Sequence, residues 1–207
     1  MTIEKEGLKF ALPLLFAGVL LLFLWWPLGA VICLLAVAAA LFFRETLGEV
    51  SFSAGQIVSP ASGRVIDIRE TEEPEFLKAP ARRLSIFMSV LDEHVNYAPI
   101  GGVVAYLKHR PGSFRRAFLD AASEANESTA IGLRGEKAPV LMRQVAGILA
   151  RRIVCRCRPG ERLAPGQKLG LIRFGSRVDL FLPREARLRV SLGEKVRGGR
   201  TILGEIE

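Results

Sequence analysis

Residues 171–183 read LIRFGSRVDLFLP. Aliphatic and aromatic residues on both sides predict one of the best β-strands in the chain. Its centre, however, is Gly175-Ser176, flanked by Arg173 and Arg177. Glycine inside a strand weakens it and marks a bulge or a close backbone approach. On composition alone the pair reads as a bulge with a polar serine on a sheet edge. In a strand, residues two apart share a face, so both arginines lie on the face of Gly175 and oppose Ser176. Guanidinium groups there suit an anionic phosphate headgroup, or belong to a general basic face.

The chain around this stretch is basic. Residues 151–200 hold 14 Lys and Arg against 4 Asp and Glu, within a net charge of +8 for the whole chain. Nucleic acid is one partner such a surface admits, but no interleaved aromatic platform is present to stack bases, so no nucleic acid is expected. A basic face on a membrane-anchored domain is expected to lie against anionic lipid, at about 1 kcal/mol per Lys or Arg. Part of the surplus reads simply as solvated surface.

Strand signals dominate on both sides. GQIVSPASGRVIDIRE (55–70) has two apolar runs around a turn, and RLSIFMSV (83–90), GGVVAYLKHR (101–110), STAIGLRG (128–135), PVLMRQVAGI (139–148) and RRIVCRCR (151–158) follow. SFRRAFLDAASEANE (113–127) differs: Phe114, Ala117, Phe118 and Ala121 recur at helical spacing. GERLAPGQKL from Gly160 and GEKVRGGRTI from Gly193 share one pattern at an offset of 33. Paired glycine turns of this kind suit a compact barrel-sandwich β domain with quasi-symmetric halves and one short helix. The domain is placed at 57–207, after a polar linker at 44–56.

The N-terminus is of another kind. Phe10–Phe43 carries no charge over 34 residues, interrupted by Pro27 and Gly29. A bilayer span needs about 20 apolar residues. Two helices, near Phe10–Trp26 and Ala30–Phe43, fit the Pro and Gly as a shallow membrane hairpin. A single long tilted helix is the other arrangement the run allows. A signal peptide would have a shorter apolar core. Residues 1–43 therefore read as an anchor. Lys5, Lys9 and Arg44 flank the run and place the rest of the chain on the cytoplasmic side. Three cysteines fit a reducing compartment. Cys155 and Cys157 form C-x-C, with no second pair of Cys or His ligands for zinc, so no metal is expected.

The Gly-Ser pair also permits chemistry. A serine hydroxyl is a weak nucleophile unless a base or strain activates it. If the Gly175–Ser176 peptide is strained, Ser176 Oγ attacks the Gly175 carbonyl, which no Cβ shields. The resulting ester can eliminate to leave a pyruvoyl group on the new N-terminus. Such a carbonyl condenses with amines and serves as an electron sink, as pyridoxal does. His94, in DEHVN, is the acid–base candidate, since histidine takes and gives protons near neutrality. His109, in LKHRPG, either meets a phosphate or substrate carboxylate or is a surface histidine.

Five ordered segments resemble the short form of the phosphatidylserine decarboxylase family. They are the apolar hairpin ending FFRE (42–45), IVSPASGRVI (57–66), IFMSVLDEHVNYAPIGGVV (86–104), RPGSFRRAFLDAASEANE (110–127) and FGSRVDLFLP (174–183). The last resembles that family's self-cleavage site. The resemblance implies cleavage between Gly175 and Ser176 into a β chain, 1–175, and an α chain, 176–207, held together as a heterodimer. It implies a pyruvoyl group from Ser176 that forms a Schiff base with phosphatidylserine and yields phosphatidylethanolamine. It implies His94 as acid and base, and a catalytic domain on the cytoplasmic face of the cell membrane. Ser62 stands where the family's turn carries Asp, the charged partner that orients a histidine. Tyr97 and Val90 stand where the family has Arg and Pro. Because serine supplies no charge, the expectation is slow self-processing, or a single-chain precursor without decarboxylase activity. The competing class is a membrane-tethered β module that binds anionic lipid. An adaptor's apolar heptads and a carrier domain's Lys at a hairpin tip are both missing from the sequence.

Overall fold

The computed structural model describes residues 2–45, 50–114, 125–148, 153–172 and 175–207. The chain divides into two compact units, Met1–Glu49 and Val50–Glu207. In the first, β1 (Thr2–Ile3) precedes α1 (Lys5–Leu24) and α2 (Trp26–Phe42), and β2 (Arg44–Glu45) follows. β1 and β2 pair, and Glu4 N–H donates to the Phe43 carbonyl at 2.9 Å, so the helices form a hairpin whose two ends meet. Gly7–Leu24 is long and apolar enough to cross a membrane, whereas α2 is shorter. The break falls at Trp25, earlier than the expected Pro27–Gly29. Pro27 sits in the first turn of α2, where its missing N–H has no helical partner to lose. Gly29 does not break the helix either. It lets the helices close up, since a Cβ there would lie 2.4 Å from Leu22 N.

The second unit is β throughout its described elements. In order they are β3 (Gln56–Val58), β4 (Gly63–Glu73), β5 (Ala79–Met88), β6 (Val95–Tyr97), β7 (Gly102–Arg110), β8 (Ser128–Gly135) and β9 (Pro139–Val145). Then come β10 (Ile153–Cys155), β11 (Arg162–Leu163), β12 (Lys168–Ile172), β13 (Ser176–Pro183), β14 (Arg187–Leu188), β15 (Lys195–Val196) and β16 (Ile202–Glu205). A curled sheet runs β11-β7-β8-β9-β13-β5-β4-β15, with two three-stranded sheets, β10-β12-β6 and β14-β16-β3. The predicted barrel-sandwich is present. Its short helix, expected over 113–127, lies outside the described residues between 115 and 124. The segment's ends meet, with Ser113 N–H donating to the Ala125 carbonyl at 2.7 Å.

The 33-residue repeat is structural. Gly160 N–H donates to Val104 and Gly193 N–H to Val65, each at 2.8 Å. Each turn then delivers a two-residue strand to an opposite edge of the large sheet, β11 beside β7 and β15 beside β4.

The stretch 171–183 is two strands, not one strand with a bulge. β12 ends at Ile172 in one sheet, and β13 starts at Ser176 in the middle of another. Along β13 the side chains alternate. Ser176, Val178, Leu180 and Leu182 face one side, the last three within the main core with Leu84, Ile86, Met88 and Met142. Phe181 faces the other side, against Ala81, Ala130 and Leu141, which Phe76, Leu77 and Tyr106 cover. Both faces are thus enclosed, and each fully buried aliphatic contributes roughly 1.5–3 kcal/mol.

Candidate active site

The crossing between sheets puts Gly175-Ser176 at a corner. Gly175 has φ +61, a left-handed conformation that costs side-chain-bearing residues energy. Among the described residues a Cβ there would meet nothing within 4 Å, so the backbone conformation rather than crowding calls for glycine. Ser176 is fully buried and opposite Met88 in the β13–β5 ladder. Among the described residues its hydroxyl has one weak partner, the Met88 sulfur at 3.4 Å.

His94 meets this corner although 81 residues separate it from Gly175. It immediately precedes β6, which pairs with β12, and its carbonyl accepts the Ile172 N–H at 3.2 Å. Its ring is 2% exposed and held at both nitrogens. Nδ1 lies 2.8 Å from the Asp92 carbonyl oxygen, and the Gly175 N–H points at Nε2 from 3.4 Å. A carbonyl can only accept, and an N–H can only donate. Both contacts are satisfied when Nδ1 carries the proton and Nε2 keeps its lone pair toward Gly175.

Asp92 does not orient the ring with its carboxylate. That group accepts the Ser89 N–H at 2.9 Å and the Ser89 hydroxyl at 2.7 Å, leaving the backbone carbonyl for His94. Ser62 is buried, and its hydroxyl accepts the Gly198 N–H at 2.9 Å. Pro60, two residues earlier in the same turn, approaches the site: its carbonyl takes a weak bond, 3.4 Å, from Asn96 Nδ2.

Asn96 and Gln144 were not anticipated. Both are fully buried, and Gln144 Nε2 donates to Asn96 Oδ1 at 2.8 Å. Asn96 Nδ2 also lies 3.7 Å from the Met88 sulfur that touches Ser176. Gln144 Oε1 has no hydrogen-bond partner among the described residues. The sequence offered one signal, since Asn96 is two residues beyond His94.

Two expected anion-binding residues lie elsewhere. Arg177 is 1% exposed, with Nε paired to the buried Asp179 carboxylate and Nη2 donating to Ser85 Oγ at 2.8 Å. It opposes Ser176, as alternation requires, but on an enclosed face rather than an open basic one. Arg173 lies outside the described residues. His109 is on β7 and largely exposed, with Nδ1 3.1 Å from Thr129 Oγ1. Several surface cations of the basic region are paired, among them Arg184 with Glu70 and Arg189 with Glu205. A cleft of about 700 Å³ bordered by Phe52, Arg134, Lys137 and Arg162 lies at the other end of the large sheet. Ser176 and His94 do not line it.

The arrangement supplies a buried serine hydroxyl, a glycine at a left-handed corner, and an imidazole with its unprotonated nitrogen turned to that glycine. The profile of the phosphatidylserine decarboxylase family matches residues 35–204. The chain is 43% identical over 205 residues to the phosphatidylserine decarboxylase proenzyme of Symbiobacterium thermophilum, covering 99% of this chain and 95% of that one. It is 44% identical over 209 residues to the proenzyme of Cereibacter sphaeroides, at 98% and 89% coverage. Against that of Desulfotalea psychrophila it is 45% identical over 179 residues, at 84% and 83%.

Proposed function

This chain belongs to the phosphatidylserine decarboxylase family, and from that premise we propose that it is a proenzyme that cuts itself between Gly175 and Ser176 and then decarboxylates phosphatidylserine. The contact between His94 Nε2 and Gly175 N–H is the observation that supports this reading best. His94 takes the proton of Ser176 Oγ as that oxygen attacks the Gly175 carbonyl carbon. The Gly175–Ser176 amide becomes an ester and frees the serine amine. Loss of the Ser176 Cα proton expels the Gly175 carboxylate. Addition of water and release of ammonia leave the pyruvoyl group at residue 176.

The residues fit that group. It is built from the chain itself, Ser176 is enclosed, and no described side chain crowds Gly175. The group supplies a carbonyl that takes up the amine of the substrate and accepts the electrons left as carbon dioxide departs. His94 Nε2 holds the proton that replaces the lost carboxylate. The β chain 1–175 and α chain 176–207 stay together because β13 lies between β9 and β5. The α1–α2 hairpin anchors the enzyme, with the catalytic unit on the cytoplasmic side where its basic surface meets anionic lipid.

A second reading is an uncut relative that only binds anionic lipid. Ser62 favours it, because its hydroxyl brings no charge to the turn beside Asn96. Intact mass and N-terminal sequencing of the purified full-length protein separate the two readings. A 32-residue fragment starting at 176 and blocked to sequencing, with release of carbon dioxide from phosphatidylserine vesicles, is expected. A single 207-residue chain that leaves the lipid unchanged refutes the proenzyme reading.

A further inference from the structure

Cys155 and Cys157 have no part in the site above. Cys155 closes β10 and Cys157 lies two residues on, so both project to the same side of an extended chain. The structure brings their sulfurs to 3.3 Å, within reach of an S–H···S contact. Cys155 is half-buried and reachable from solvent, whereas Cys157 is buried and belongs to the main core.

The environment divides the pair. The Cys157 contact holds the Cys155 thiol below the ordinary thiol range. The same contact, together with burial, pushes Cys157 up. The reachable sulfur is therefore the better thiolate, and thiolate is the reactive form.

We propose that Cys155 and Cys157 are a reversible oxidation site, which closes to an intrachain disulfide on meeting a hydroperoxide or a small-molecule disulfide. With hydrogen peroxide, the Cys155 thiolate attacks one oxygen, the O–O bond breaks, and a sulfenic acid and water result. Cys157 sulfur then displaces the hydroxyl as a second water. Two S–H hydrogens are lost and the peroxide is reduced by two electrons. With oxidised glutathione, Cys155 displaces one glutathione thiol and Cys157 displaces the other.

The ring so formed contains only the Cys155–Arg156–Cys157 backbone. On an extended strand their Cα atoms are about 6.6 Å apart, near the upper edge of the disulfide range. Closure strains the backbone, and strained disulfides are the easily reduced ones. The bond is thus a switch rather than a staple. β10 pairs with β12, whose Ile172 is bonded to the His94 carbonyl, so the pair sits one strand away from the proposed active site.

The test uses the purified full-length protein, equilibrated with glutathione buffers of increasing oxidised fraction, then denatured and alkylated. Mass mapping is expected to show Cys155 and Cys157 losing two hydrogens and escaping alkylation together, with both restored by dithiothreitol. Cys157→Ser is expected to accumulate one glutathione on Cys155, because no second sulfur completes the exchange. Cys155→Ser is expected to leave Cys157 modified at least tenfold more slowly. Full alkylation of both cysteines in fully oxidised buffer overturns the proposal. So does a lasting glutathione adduct on Cys155 of the unsubstituted protein, or a disulfide found only between molecules.

Discussion

Replacing His94 by glutamine tests the proposed active site most directly. The ring has two separable roles, one seen in the structure and one proposed, and they differ in size. As a hydrogen-bond acceptor it holds the Gly175 N–H at 3.4 Å, a long bond. Such a bond contributes roughly 0.5–1.5 kcal/mol, or about tenfold at most in a rate. In the proposed role of base it removes the proton of Ser176 Oγ, a contribution of about 10²–10⁴, or roughly 3–5 kcal/mol of barrier. Glutamine offers an amide oxygen to the same N–H but cannot take up a proton. His94→Gln is therefore expected to slow appearance of the 176–207 fragment at least about 100-fold. The assay is synthesis of the full-length chain in a cell-free reaction with phospholipid vesicles. Denatured samples taken over time are resolved by intact mass, with the unsubstituted chain as reference. Cleavage of His94→Gln within about tenfold of the reference would refute the base role, leaving the ring as a clamp on Gly175.

Ser176→Ala is expected to abolish cleavage and leave one 207-residue chain of nearly unchanged stability, because among the described residues the partner lost is the Met88 sulfur. Intact mass and thermal unfolding check both halves of that statement. Ser62→Asp restores the charge that the family's turn carries and is expected to quicken cleavage by up to about tenfold, the ceiling for a one-unit rise in the proton affinity of the catalysing base. The same time course reads it, and an unchanged rate shows that the serine costs nothing. Asp179→Asn leaves the Arg177 charge enclosed without a carboxylate at Nε, since both side chains are at most 1% exposed. It is expected to cost roughly 3–5 kcal/mol, read by urea unfolding in the uncut Ser176→Ala background. The paired change Arg177→Met with Asp179→Leu is expected to recover most of that loss.

Much of the fold could be read from local pattern. The alternation Val178, Leu180, Leu182 against Phe181 is a period-2 signal, and it puts the right side chains in the core. The repeat at Gly160 and Gly193 likewise announced two equivalent turns, which the structure sets at opposite sheet edges. What failed was the joining of 171–183 into one strand. Local pattern reports that residues are extended and buried, not which neighbours they bond. The neighbours of Leu171 are Val154 and Val95, while those of Arg177 are Phe87 and Val145, all distant in sequence. Arg177 misled for a related reason. An arginine in a basic region reads as surface, yet Asp179 stood two residues on, on the same face, and an enclosed pair of that spacing answers to the same letters. The clamp on His94 left no trace in the sequence at all. It is made by the backbone carbonyl of Asp92 and the backbone N–H of Gly175, groups every residue but proline possesses. A glycine-serine pair and a histidine can thus be named from sequence as candidates. Whether they form a reacting pair depends on a change of sheet between residues 172 and 176. That change turns the Gly175 N–H out of either ladder and toward the imidazole.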